Sequence, residues 1–229
     1  FMEKRGWVLT GFMALCATTI VASGCTGIVH NDKELLNKYE ETQTLMDTFI
    51  TVTVYTTDEN KAQEAIDDAF LRMEEIESQA SIFEEASEAS RLNREAMLKS
   101  PSEDFRQLIV LSLEYSRVTD GYFDITVQPL LELWQSGLWQ ESDAVQESRI
   151  DETMGLIGWD KVAVDEEGIE LTVEGMKITL GGIAKGYAVD KALDSIADMG
   201  VEHALINAGG DMRTLGAKPQ GENWQVALV

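Results

Sequence analysis

Gly181-Gly182-Ile183-Ala184-Lys185-Gly186-Tyr187-Ala188-Val189-Asp190-Lys191-Ala192 is a glycine turn that closes one apolar run and opens another. Before it, Lys177 to Leu180 reads as a short strand. After it, apolar residues recur at helical spacing from Ala184 to Met199, until Gly200 ends them. Glycine at such a junction lets backbone amides approach an anion closely, and the following helix adds its positive end. Lys185, in the first helical turn, can pair with a phosphate or with a neighbouring carboxylate. The stretch is neither a Walker motif, which needs Gly-Lys-Ser/Thr, nor the Gly-x-Gly-x-x-Gly of a Rossmann turn. Its spacing admits a phosphate site and a tight strand-to-helix packing turn alike. A second glycine turn follows, Asn207-Ala208-Gly209-Gly210-Asp211. It reads either as another wall of the same site or as a hairpin turn capped by its own Asp.

Outward from these turns the pattern is α+β, with mixed strands and flanking helices but no strict βαβ repeat. Leu45 to Tyr55 alternates β-branched residues and predicts a strand. Asp58 to Gln79 predicts an amphipathic helix with Asp58 as N-cap, and Ser102 to Thr119 a second one. Ser81 to Asn93 reads as irregular, Asp120-Gly121 as a turn, and Gln140 to Ile150 as polar and exposed. Short strands are expected at Lys161–Val164, Ile169–Val173, Ala204–Asn207, Met212–Leu215 and Trp224–Val229. Asp124 lies in the strand-like apolar run Phe123-Asp-Ile-Thr-Val127. Burying a carboxylate needs partners, which here are backbone amides, Lys185 or the donors of a ligand. Thr126 reads equally as core packing or as a contact. Met46 and Phe83 could sandwich a flat ring, though by composition such residues are more often core.

The 229 residues carry 41 acidic against 18 basic side chains, a net charge of −23. Such a surface repels nucleic acid, so no nucleic-acid partner is expected. His30 and His203 are the only histidines, and Cys16 and Cys25 the only cysteines. A Ser-His-Asp triad, a His-based metal site and a disulfide framework are thereby disfavoured, and His203 reads as structural. Lys4 and Arg5, the apolar run Trp7 to Ala22, and Ala22-Ser23-Gly24-Cys25 describe an export signal. A cysteine directly after small residues resembles the bacterial lipobox, with Cys25 as the lipidated residue. The expected organisation is 1–25 signal peptide, 26–44 tether and 45–229 folded domain, held by lipid on the periplasmic or extracellular face of the membrane.

Together these segments resemble the ApbE family, the FAD:protein FMN transferases. The resemblance runs in order through Met46-Asp47-Thr48, Ser81-Ile82-Phe83 with Ser90-Arg91-Leu92-Asn93, and Asp120-Gly121-Tyr122-Phe123-Asp124-Ile125-Thr126-Val127 with Pro129-Leu130. It continues through Leu180 to Asp190 and Asn207 to Asp211. It implies a two-lobed, mixed-sheet, T-fold-related domain that binds FAD. With Mg²⁺ such a domain moves FMN onto a threonine of an acceptor protein and releases AMP. The acceptors implied are subunits of membrane redox complexes or extracellular flavoproteins. Carried over, Met46, Ser81, Ile82, Phe83, Asp124, Lys185, Asn207, Gly209, Gly210 and Asp211 would line the flavin cleft, with Phe83 stacked on the isoalloxazine. Gly182, with Ala184 close by, would sit where a backbone carbonyl ligates Mg²⁺.

Two substitutions depart from the family pattern: Thr179 stands where many members have Asp, and Phe83 where Tyr is common. The sequence also ends at Val229, before the Ala…Asp…Thr motif that in the family supplies further metal ligands. The expectation is therefore a C-terminally incomplete chain whose catalytic residues lie beyond Val229. A non-catalytic flavin-binding lipoprotein and an FAD pyrophosphatase yielding FMN and AMP are the competing readings.

Overall fold

Two adjacent strands, β1 (Asn37–Leu45) and β2 (Thr48–Thr56), form an antiparallel hairpin in which Leu45 faces Thr48 across a two-residue turn. The computed structural model describes residues 35–227. Along β2, Ile50, Val52 and Val54 point into the core and are fully buried, as the β-branched alternation requires. The hairpin corrects the expected tether at 26–44, because Asn37–Leu45 is paired sheet rather than a free linker. Its polarity reflects an edge strand with few buried positions. The expected signal peptide, the lipidated Cys25 and residues 26–34 lie outside the described residues.

Asp58 caps the next element, α1 (Glu59–Ala80), by accepting from the amides of Asn60 and Lys61 at 2.9 and 3.3 Å. Its buried stripe of Ala62, Ala65, Ile66, Ala69, Phe70, Met73 and Ile76 packs on β1 and β2. Ser87 then caps α2 (Glu88–Glu95), a helix inside a stretch whose sequence reads as irregular. Only Ala89 and Leu92 of α2 are buried, so its periodic signal is thin. β3 (Met97–Lys99) leads into α3 (Glu103–Val118).

Asp124 does not continue a strand. It caps a 3₁₀ turn, Ile125–Val127, which runs directly into α4 (Gln128–Gln135), with Pro129 in the first turn of that helix. The alternation around Asp124 is thus overruled by a capping side chain and a helix-starting proline. α5 (Asp143–Met154) buries no residue, in keeping with its polar sequence. β4 (Val162–Val164) and β5 (Gly168–Leu171) join β3 in a three-stranded antiparallel sheet of order β3-β5-β4.

After the glycine turn, α6 (Ala184–Asp198) packs beside α1, and β6 (His203–Ala208) and β7 (Asp211–Leu215) complete a four-stranded antiparallel sheet. Its order is β1-β2-β6-β7, with α6 covering β6 and β7 as α1 covers β1 and β2. The fold is α+β as expected. Strand pairing in both sheets is antiparallel, so its mixed character lies in helices laid on sheets.

Lys177–Leu180 is extended but belongs to neither sheet. Asn93 of α2 donates to the Ile178 carbonyl at 2.8 Å and accepts its amide at 2.6 Å, as a neighbouring strand would. The Thr179 amide donates to the Ile125 carbonyl at 2.8 Å. Residues 224–227 are likewise not strand: the Trp224 indole donates to the Gly216 carbonyl at 2.9 Å and meets Tyr55 edge-on. His203 is structural as read, its Nδ1 lying 2.6 Å from the Ala217 carbonyl.

The three long helices are tied by one polar cluster. Arg72 of α1 holds both Asp104 oxygens at 2.6 Å, and the Tyr187 hydroxyl of α6 donates to Asp104 at 3.1 Å. Burial pushes the Asp104 carboxyl up, but the Arg72 guanidinium and Tyr187 outweigh it and hold the carboxyl below the ordinary range. A depressed folded pKa gives stability that is present above the ordinary Asp range and lost as pH falls through the folded value. Asp104→Asn should therefore cost about 1–2 kcal/mol at pH 7, with the gap to the parent narrowing toward pH 3, read by urea melts at both pH values. Asn93→Ala removes both partners of Ile178 and should cost about 2 kcal/mol in the same melts.

Candidate functional site

The sheet order places two tight turns side by side. The β1–β2 turn is Met46-Asp47, and the β6–β7 turn is Gly209-Gly210, between the paired residues Ala208 and Asp211. Both lie at the same end of the sheet, since Ile50 pairs with Ala208. The Gly209 amide donates to the Phe49 carbonyl at 3.2 Å. A Cβ on Gly209 would lie 2.3 Å from Thr48 Oγ1, so the second turn closes against the first only because Gly209 has no side chain. Gly209 and Gly210 also hold positive φ, 59° and 107°, the geometry of a two-residue hairpin turn. The Asn207 side chain accepts the Gly210 amide at 3.0 Å. Asn207, Gly209 and Gly210 thus build a hairpin turn, as one of the two readings had it, but the cap is Asn207 and not Asp211.

Met46 and Asp47 hold the same left-handed geometry without glycine, at φ 53° and 56°. Left-handed backbone costs a residue with a Cβ about 1–2 kcal/mol. The turn is held from outside, because Glu77 of α1 accepts the Met46 amide at 3.0 Å. Burial raises the Glu77 carboxyl above its usual range, the Met46 amide partly offsets this, and the Glu84, Asp47 and Glu74 carboxylates raise it further.

A cleft of about 340 Å³ opens between this turn, the end of α1, α4 and the start of α6. It brings together Met46, Ser81, Ile82, Phe83, Ala184 and Lys185 from the predicted set, and adds Asp47, Glu77, Gln128, Leu131, Thr179 and Gly181. Phe83 stands 85% exposed on its rim, an unusual position for an aromatic without a partner. Its backbone is fixed by Ser81, whose hydroxyl accepts the Phe83 amide at 3.2 Å. One wall is therefore flat and apolar. Lys185 and the glycine turn at the start of α6 border the same cleft, as do the carboxylates of Asp47 and Glu77.

A second hollow lies behind the same turn, lined by Gly181, Gly182, Lys185, Gly186 and Asp211 among others. Lys185 borders both and reaches Asp211 at 3.4 Å, which links the α6 start to the β6–β7 turn. Asp124 is not brought to Lys185. Its carboxylate accepts the Thr126 amide and hydroxyl at 2.8 and 2.7 Å and the Trp159 amide at 2.9 Å. Of the alternatives open for Asp124, backbone amides supply its partners, and Thr126 is a fully buried part of that cluster.

For a metal ion, the Gly182 carbonyl is suited: the residue is exposed and its carbonyl accepts no hydrogen bond among the described residues. A Cβ there would meet the Phe123 ring at 3.3 Å, so the turn is shaped around a side-chain-free residue. Ala184 is buried in the first turn of α6, where the carbonyl joins the helical ladder, so it does not offer the same donor. Among the described residues, no group of three or more His, Cys, Asp or Glu could hold a metal.

Of the cleft residues outside the predicted set, Glu77 is the one that no sequence signal marked and that holds the Met46 turn. It sits on the exposed-looking side of α1's pattern, and only the pairing of β1 with β2 brings the Met46 amide to it.

The ApbE family profile matches residues 46–229. The FAD:protein FMN transferase of Haemophilus influenzae is 25% identical over 164 residues, covering 68% of this chain and 47% of that protein. The one from Klebsiella pneumoniae is 36% identical over 126 residues, covering 53% of this chain and 37% of that protein. The chain spans about half the length, or less, of these curated relatives. Among solved structures, the apo flavinyl transferase ApbE of Pseudomonas stutzeri superposes with a TM-score of 0.74 at 25% identity, covering 85% of this chain and 66% of that one. The ApbE protein of Thermotoga maritima gives 0.69 at 28% identity, covering 80% and 60%. The profile covers most of the chain, and the paired turns, the cleft and the glycine start of α6 lie within the matched residues: this chain belongs to the ApbE family.

Proposed function

We propose that this chain binds FAD in the cleft beside Met46 and Phe83, and serves transfer of FMN from FAD to a threonine of an acceptor protein with release of AMP. The observation that carries the reading is a single cleft with Phe83 exposed on one wall and Lys185 with the α6 start on another. An isoalloxazine ring is flat and apolar and suits the first wall; a pyrophosphate is anionic and suits the second. In the transfer, a bond forms between the threonine oxygen and the FMN phosphorus as the threonine O–H breaks and its proton leaves to solvent. The P–O bond to the AMP phosphate breaks, and AMP leaves. Such chemistry depends on positioning and charge neutralisation more than on a protein nucleophile.

Magnesium is the metal proposed, with the Gly182 carbonyl as one ligand, since a hard cation takes oxygen donors. When bound, it supplies neutralisation of the pyrophosphate charge. Lys185 holds the phosphate region, and Ser81 orients Phe83 through its backbone. Ile82 flanks that stacking position, and Asp211 holds Lys185 in place. The acceptor proposed is a flavoprotein subunit of a membrane redox complex or an extracellular flavoprotein. The basic start and the small residues before Cys25 support export and lipid anchoring on the periplasmic or extracellular face.

The test is incubation with FAD, Mg²⁺ and an acceptor domain, followed by in-gel flavin fluorescence and AMP assay. Labelled acceptor with equimolar AMP is expected. AMP without label would replace the transferase reading with hydrolysis, and bound but unchanged FAD would replace it with a carrier. Phe83→Ala and Lys185→Ala should each weaken FAD binding by about ten-fold, the size of one stacking or charge-assisted contact, roughly 1–3 kcal/mol. Arg149→Ala, on exposed α5, should leave binding unchanged in the same fluorescence titration.

A further inference from the structure

Resting on the flavin reading of the cleft, we propose that Glu77 is a positioning residue: it clamps the Met46-Asp47 turn in its left-handed geometry and so sets the flavin-facing wall. Four observations bear on it. Met46 and Asp47 both hold positive φ in a two-residue turn that glycine would occupy without strain. The Met46 amide donates to Glu77 Oε1 at 3.0 Å, from a helix 31 residues further along the chain. Met46, Asp47 and Glu77 all line the cleft. The turn has no freedom on its other side, because Gly209 sits directly against Thr48, the residue that follows it.

These constraints act in one direction. Without the Glu77 acceptor, the Met46 amide would lose its partner and the turn could relax toward backbone that non-glycine residues prefer. Relaxation would rotate the Met46 side chain, since its Cβ direction follows its own φ. The neighbouring carboxylates make the choice of Glu notable. Asp47, Glu74 and Glu84 all disfavour charge at position 77, and Lys185, which lines the same cleft, reaches Asp211. The clamp uses only an acceptor oxygen, so Glu77→Gln keeps it while removing the repulsion.

The experiment is FAD titration, by quenching of flavin fluorescence, with four chains: parent, Glu77→Ala, Glu77→Gln, and Glu77→Ala combined with Asp47→Gly. Glu77→Ala should weaken FAD binding by about ten-fold, and Glu77→Gln by no more than about two-fold. Adding Asp47→Gly should restore most of the loss, because glycine adopts the left-handed conformation unaided. Because that glycine also relieves left-handed strain and so raises fold stability, melting curves of all four chains accompany the titration, and binding is compared only where each chain is fully folded. Unchanged binding in Glu77→Ala overturns the proposal. Loss that Asp47→Gly does not recover also overturns it, by showing that Glu77 acts on the ligand directly. Hydrogen exchange of the Met46 amide in the free chain separates the two levels of the reading. Faster exchange in Glu77→Ala is expected, and equal exchange overturns the clamp whatever FAD does. A parent chain that binds no FAD, with Met46 still protected by Glu77, would overturn the flavin role while leaving the clamp.

Discussion

The close approach of Gly209 to Thr48 is the constraint on which the site depends. Two hairpin turns from distant parts of the chain meet at one end of the four-stranded sheet, with no room for a Cβ between them. That contact fixes where β6 ends relative to β2, and therefore where Asp211 begins β7. Asp211 in turn meets Lys185, so the start of α6 is registered to the same sheet end. The glycine turn at 181–182 is positioned from below by the sheet and from the side by Asn93, which gives residue 178 the partners that a strand would have supplied.

Around this end the polar groups divide into those that build and those that remain available. Asn207 and Asp124 are committed to backbone amides, as is the Ser81 hydroxyl. Phe83 and Gly182 are exposed, and Lys185 borders two hollows. A phosphate-bearing flat ligand needs an apolar face and a cation in one cleft, and Phe83 and Lys185 line the same one. The strongly acidic surface makes that local arrangement necessary, since the general field of the chain repels anions.

Several local elements were legible without coordinates because their signals are short-range. The α1 stripe with its Asp58 cap, the α3 stripe, the α6 helix ended by Gly200 and the alternation of β2 all depend on residues a few positions apart. α2 was not legible, because a helix burying only Ala89 and Leu92 leaves little period to read. The strand expected around Asp124 became a capped 3₁₀ turn and helix, because a capping carboxylate and Pro129 outweigh apolar alternation. Lys177–Leu180 looked like a strand because it is extended and apolar; its partner is a side-chain amide, which no strand pattern encodes.

The sequence by itself determined the α+β class, the ordered motifs of the family and six residues of the cleft, Met46, Ser81, Ile82, Phe83, Ala184 and Lys185. Glycine turns, caps and aromatic positions carry their reasons locally, in allowed φ and in which side chains can donate or stack. Only the tertiary structure decided which partners those motifs find within the chain. It assigned Asp124 and Asn207 to the backbone, kept Phe83 and Lys185 at the cleft, and brought Glu77 to the Met46 amide. The physical reason is that a hydrogen bond between residues 46 and 77 exists only once a hairpin and a helix have packed. No local propensity records a partner that arrives through folding.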